Sequence, residues 1–201
     1  MGAPLEFWFE FASSYSYPAS MRVEDTARAA GVSLVWKPFL LGPIFGAQGW
    51  NDSPFNIYLA KGRYMWRDLE RICAKLGVPF RRPSRFPRNG LLAARVALLG
   101  ADAPWGADFV RGIYRTNFAD DRDIADQAVV RDVLDRVGAH AQAVLEAAQS
   151  PDNKDRLRRQ TEEAIGLGIF GAPTFVSRGE LFWGNDRLED ALGWHLAHAN
   201  G

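Results

Sequence analysis

The spacing of the apolar residues changes twice along this chain of 201 residues, and the order of the changes restricts the fold more than any other feature. Leu5 to Phe11, L-E-F-W-F-E-F, is a short aromatic-rich run suited to a mostly buried strand, and it stops at Ala12-Ser13-Ser14. From Ser16 the pattern turns helical, with hydroxyls for a cap, Pro18 near the first helical position and Gly31 as the stop. Val32 to Phe39, V-S-L-V-W-K-P-F, reads as a second strand, so the first 40 residues spell β-α-β. Between about residues 56 and 166 strand signals nearly vanish. Met65, Leu69, Ile72 and Leu76 fall at helical spacing, as do Leu92, Val96 and Leu99, then Trp105, Phe109 and Ile113, then Val130, Leu134 and Val137. Pro79, Pro83 and Pro87 mark a loop between the first two of these helices, and Ser150-Pro151 opens the last. After Gly171 two short strands, Pro173 to Val176 and Leu181 to Trp183, are joined by Arg178-Gly179 and followed by a helix from near Asp186.

Composition removes whole classes of function. With 24 basic and 24 acidic residues no global field draws in nucleic acid or an acidic membrane, and the aromatics have no basic stripe beside them. No run approaches the roughly 20 apolar residues that span a bilayer, and no signal segment opens the chain, so the expectation is a soluble cytoplasmic protein. At 47% hydrophobic it can bury a substantial core. The single cysteine, Cys73, permits neither an internal disulfide nor a Cys-x-x-Cys pair, and it sits beside the apolar stripe of its helix. His140, His195 and His198 are scattered without metal spacing, and no metal is expected. Any thiol chemistry must use a borrowed thiol.

Pro173 opens a strand, where a residue without an N–H is tolerated. Together with the element order it predicts that the Ala172–Pro173 peptide is cis, an arrangement that turns neighbouring backbone groups toward whatever binds beside it. A β-α-β half and a β-β-α half with a cis-proline at the start of the third strand is the thioredoxin arrangement. The expected fold is therefore α/β, thioredoxin-like, with a large all-helical insertion between the halves. Residues 1–55 and 167–201 would form the thioredoxin-like domain and residues 56–166 the helical one.

Four stretches, F-E-F-A-S-S-Y-S-Y (9 to 17), W-K-P-F-L-L-G (36 to 42), F-G-A-P-T-F (170 to 175) and F-W-G-N-D-R-L (182 to 188), occur in the order and spacing of one family. The chain resembles the 2-hydroxychromene-2-carboxylate isomerases, relatives of the kappa-class glutathione transferases on a DsbA-like fold. The resemblance implies glutathione as cofactor and makes Ser13 the catalytic hydroxyl that hydrogen-bonds its sulfur. A helix N-terminus beside that sulfur would lower the thiol pKa. The family has proline where this chain has Ser14, which leaves open whether Ser13 or Ser14 faces the sulfur. Ala172 and Pro173 match the segment whose main chain pairs with the glutathione backbone, and Trp183, Gly184, Asn185 and Asp186 match the stretch that holds the γ-glutamyl end. Asp186 suits the ammonium there, and it could also cap the closing helix.

Toward the substrate the candidates are Lys37 at the end of the second strand, Trp50 and Asn51 in a glycine-containing loop, Asn56, Lys61, and Arg85 and Arg88 in the proline-rich loop. The lysines and arginines would meet a carboxylate or phenolate. The implied reaction converts 2-hydroxychromene-2-carboxylate to trans-o-hydroxybenzylidenepyruvate in the breakdown of naphthalene-type aromatics, and the implied assembly is a homodimer. Two alternatives stay open: a kappa-like transferase that conjugates glutathione to an electrophile, and a DsbA-like binding protein without catalysis.

Overall fold

A computed structural model describes residues 3–199. Its single mixed sheet has the strand order β2-β1-β3-β4, formed by β1 (Leu5–Phe9), β2 (Leu34–Pro38), β3 (Thr174–Ser177) and β4 (Glu180–Trp183). β1 runs parallel to β2, with Trp8 opposite Lys37, and antiparallel to β3, with Phe7 opposite Phe175. The parallel pair is linked by the crossover helix α1 (Ser16–Ala29), as parallel strands require. β3 and β4 form a hairpin whose two turn residues, Arg178 and Gly179, both have positive φ (51° and 83°), the conformation of a type I′ turn.

Alternation along β1 sorts the core into two parts. Leu5, Phe7 and Phe9 face the larger part, where Phe7 stacks on Phe9 and Phe175 at 5.3 and 5.4 Å, and Trp36 meets Phe7 edge-on. Trp8 faces the other side with Phe39, Leu41, Ile44, Ala164, Ile169 and Val176. Each fully buried phenylalanine in this stack contributes roughly 1.5–3 kcal/mol.

The helical insertion lies between β2 and β3 in sequence: α2 (Leu41–Ala47), α3 (Pro54–Ile57), α4 (Leu59–Leu76), α5 (Leu91–Leu99), α6 (Gly106–Phe118), α7 (Gln127–Arg136), α8 (Ala141–Ala148) and α9 (Pro151–Gly166). Ser53, Asp126 and Ser150 cap α3, α7 and α9 with side-chain oxygens. A 3-10 turn, Asn185–Arg187, precedes the last helix, α10 (Leu188–Ala197). Asp186 does not cap α10, whose N-cap residue is Arg187; its carboxylate bonds the Arg187 guanidinium instead.

β1 stops two residues before the sequence pattern suggests, because Glu10 and Phe11 leave the sheet for α6. The buried Tyr114 hydroxyl donates to the Glu10 carbonyl at 2.9 Å, and the Asn117 amide donates to the Phe11 carbonyl at 3.2 Å. These bonds satisfy carbonyls that no strand pairs, and they fix the turn that follows. No element among the described residues is a helix long and apolar enough to cross a membrane.

Candidate active site

The turn after β1 carries Ser13 into a cleft of about 1340 Å³ between the sheet's end and the first helices of the insertion. The Ser13 amide donates to the Glu10 carbonyl at 2.9 Å, closing the turn. Its hydroxyl donates to the Ala172 carbonyl at 2.7 Å and lies 3.4 Å from the Ser16 amide, which donates to it at the start of α1. No side chain caps α1 in the usual way, so its N-terminal positive end opens beside Ser13. Ser14 also contributes to the cleft lining, but it is buried and its hydroxyl is spent on α4, where it donates to the Met65 sulfur. Of the two hydroxyls, the Ser13 one is bonded across the cleft to Ala172.

Across the cleft, the Ala172–Pro173 peptide is cis. The Phe86–Pro87 peptide, in the proline-rich loop on another wall, is also cis. The Pro173 carbonyl accepts from the Gly184 amide, which ties the proline segment to the Trp183–Asp186 turn. Gly184 has φ 125°, a region that a side chain rarely enters. Arg22 on α1 reaches Asn185, donating to its side-chain and backbone oxygens, and pairs with Glu189. Ala172, Pro173, Trp183, Gly184, Asn185 and Asp186 all line the cleft. Trp183 is 53% exposed and packs against Phe170, while Asp186 sits on the rim. The Ala172 N–H makes no hydrogen bond among the described residues.

On the insertion side Trp50 and Asn51 line the cleft, with Trp50 against Phe45, and so does Lys61, whose ammonium lies 5.0 Å from the Tyr58 ring. Of the other four expected substrate residues, three lie off the cleft wall and one lines it with its charge already paired. Lys37 stands opposite Trp8, so alternation turns it to the sheet face covered by α9, where it lies over the Trp8 ring and meets Glu163 at 3.4 Å. Asn56 spends its amide on Asp52 and the Phe86 carbonyl, and it stays off the cleft wall. Arg85 is exposed on the loop and outside the cleft. Arg88 touches the cleft, but its guanidinium is buried, and its two terminal nitrogens are taken by Asn117, Ser84 and Asp121 while Nε has no partner among the described residues.

Three acidic residues of the cleft lining, Glu10, Asp52 and Asp68, escaped the sequence reading. Tyr15 donates to Asp68 at 3.0 Å on one wall, and burial first, then Asp68, raises the pKa of its hydroxyl. Glu10 lies 8% exposed in the cleft lining, and burial pushes its carboxyl up to about 7 against the lowering effect of the Ala12 amide. Its signal in the sequence is one acid at the end of an aromatic strand, immediately before the serine turn. Cys73 is buried in α4 and its thiol is pushed up to about 11, so the chain brings no activated thiol of its own. Among the described residues no three His, Cys, Asp or Glu gather where they could hold a metal ion.

Residues 4–193 match the DSBA-like thioredoxin domain. The chain is 32% identical to 2-hydroxychromene-2-carboxylate isomerase of Sphingobium xenophagum, over 94% of this chain and 96% of the relative. The chain belongs to that isomerase family. A solved structure of 2-hydroxychromene-2-carboxylate isomerase superimposes with a TM-score of 0.85 at 26% identity, covering 98% of each chain. A more distant relative is glutathione S-transferase kappa 2 of Caenorhabditis elegans, 27% identical over 92% of this chain and 88% of the relative. The isomerase family thus accounts for nearly the whole length of the chain, helical insertion included.

Proposed function

We propose that this chain isomerises 2-hydroxychromene-2-carboxylate to trans-o-hydroxybenzylidenepyruvate, using glutathione as a catalytic thiol. The observation that carries this reading is the Ser13 hydroxyl. A hydroxyl, not a thiol, stands at the N-terminus of α1, facing the carbonyl that precedes the cis-proline. A site built this way can steady a sulfur anion supplied from outside but cannot form a disulfide itself.

The residues present suit the tripeptide. The unpaired Ala172 N–H and the Ala172 carbonyl form a short main-chain edge of the kind that takes up an extended peptide. Asp186 offers a carboxylate at the rim for the γ-glutamyl ammonium, and the exposed Trp183 offers an apolar surface beside it. Bound glutathione would supply the thiolate whose reversible addition to the conjugated chain makes the double bond single and free to rotate.

The chain's own residues then divide the remaining work. Ser13 turns its proton from the Ala172 carbonyl to the sulfur, and the α1 terminus adds positive potential. Lys61, the cleft cation that no carboxylate pairs among the described residues, takes the substrate carboxylate in place of the inward-turned Lys37. Phe45, Trp50, Phe55 and Phe86 provide walls for the aromatic ring.

The test is the ultraviolet spectrum of 2-hydroxychromene-2-carboxylate mixed with the protein, with and without glutathione. Conversion only in the presence of glutathione, without loss of free thiol, is the expected result. Consumption of thiol would indicate conjugation, the reaction of a transferase, and absence of both conversion and glutathione binding would refute the reading. Asp186→Asn is expected to weaken glutathione binding about tenfold, the equivalent of roughly 1.4 kcal/mol for a charge-assisted contact at an exposed rim. Its kcat at saturating glutathione should match the parent. Titration calorimetry checks the affinity, and an unaltered dissociation constant would remove Asp186 from the site.

A further inference from the structure

Among the described residues Glu10 is the one carboxyl of the cleft lining that is both deeply buried and without a cation. Its Oε2 accepts from the Ala12 amide at 3.0 Å, in the turn that carries Ser13. Its Oε1 accepts no hydrogen bond among the described residues and lies over Gly90, where a Cβ would come within 3.3 Å of it. The carboxyl therefore sits on the cleft floor between the Ser13 turn and the start of α5, with one oxygen held and the other open. The Glu10 carbonyl accepts from the Ser13 amide of the same turn and from the Tyr114 hydroxyl of α6.

The surroundings leave few other groups able to move a proton. From α6 the neighbours are Tyr114, which donates to the Glu10 carbonyl, and Asn117, which donates to Phe11. At the start of α1 they are the hydroxyls of Ser13, Ser14 and Ser16. Before α5 stands Arg88, its charge spent on Asp121. On α4 stand Asp68, which holds the Tyr15 hydroxyl, and Lys61. Asp52 and Asp186 line the rim, exposed to water. Among the described residues no histidine lines the cleft.

We infer that Glu10 is the proton acceptor for the borrowed thiol, an inference that rests on the glutathione reading above. The S–H bond breaks with its electron pair left on sulfur, and an O–H bond forms at Glu10 Oε1, directly or through one water. Charge also favours the transfer. A thiolate and a carboxylate confined in one cleft repel, whereas a thiolate beside a neutral carboxylic acid carries a single negative charge. The two groups then titrate as a coupled pair, and the proton returns to sulfur when the thiol leaves. With its carboxyl pushed up to about 7, Glu10 is part ionised at neutral pH and can both take and return the proton.

The test is calorimetric titration of glutathione into the whole protein at pH 7, in buffers of different ionisation heat, which counts the protons released on binding. A parent Glu10 that is half ionised retains about half a proton, so Glu10→Gln is expected to release about half a proton more per site. Thiolate absorbance near 240 nm, read in the same samples, verifies that both proteins form the anion. Equal proton release at equal thiolate absorbance overturns the role of Glu10. Absence of binding heat in the parent overturns the glutathione reading instead, so the two failures are distinct. Carbon-13 labelling of the glutamate carboxyls gives a second readout in the unmodified protein. The Glu10 resonance should move toward its protonated position when glutathione is added at pH 7, and a resonance that stays in place also overturns the assignment.

Discussion

Ser13→Ala is expected to lower kcat/KM for the isomerisation by about 10² to 10³-fold, the scale observed when one hydrogen-bond donor to a developing anion is removed. The side chain has little packing role to lose, since it is only partly buried and its hydrogen-bond partners are the Ala172 carbonyl in the cleft lining and the Ser16 amide at the start of α1. The effect should therefore fall on the sulfur. Bound glutathione should show a raised thiol pKa, visible as thiolate absorbance appearing at higher pH, while its affinity changes much less. Ser14→Ala is the control. That hydroxyl is buried against Met65, so its removal should lower Tm slightly and leave the thiolate titration where it was. If Ser14→Ala moved the titration and Ser13→Ala did not, the geometry assigned to the turn would be wrong.

Arg88→Met should be the most destabilising of the changes considered, by about 3 kcal/mol, the cost typical of removing one partner from a buried charged network. For a chain of this size that corresponds to a fall in Tm of roughly 6–12 °C. Arg88 is 5% exposed, and its two terminal nitrogens serve Asn117, Ser84 and Asp121 at once. Methionine keeps the length of the stem but leaves the Asn117 side-chain oxygen in the core without its donor. Asp121, held by the Ser84 amide first and then by Arg88, has its carboxyl lowered to about 2. Its stabilising contribution is thus complete above the ordinary carboxylate pKa and is lost as pH falls through that range toward 2. Thermal denaturation checks the first effect. Substrate KM, measured well below the new Tm, should stay within about twofold of the parent; a large rise in KM with unchanged Tm would return Arg88 to the substrate.

These two residues also show what a sequence can and cannot reveal. The site's outer frame was legible because it depends on local signals: apolar periodicity located the strands, Ser13 followed the first of them, and Pro173 opened the third. Residues placed by a neighbour distant in the chain were not. Lys37 is at the end of the sheet where ligands gather, but its direction follows from pairing with Trp8, and that pairing leads to α9 rather than to the cleft. Arg88 looked like a free loop cation because Asn117 and Asp121 lie about thirty residues away. Glu10 was read only as part of the strand run Leu5 to Phe11, yet it lies just past the last paired residue, where alternation no longer applies. The helix α2 was missed for a different reason. L-G-P-I-F-G-A has poor helix propensity, and it folds because Leu41 and Ile44 complete the small core on Trp8 and Phe39.

β1 has its parallel partner within thirty residues, but on its other edge it pairs with β3, more than 160 residues later in the chain. During synthesis the ribosome must therefore deliver the whole helical insertion and β3 before that edge is covered, and until then a row of aromatic residues with open hydrogen-bonding groups stands available to other chains. The helices of the insertion, rich in near-neighbour contacts, can form while the nascent chain waits. Ser13 meets Ala172 only when this last closure occurs, so a chain released before β3 lacks the Ala172–Pro173 and Trp183–Asp186 walls that face Ser13.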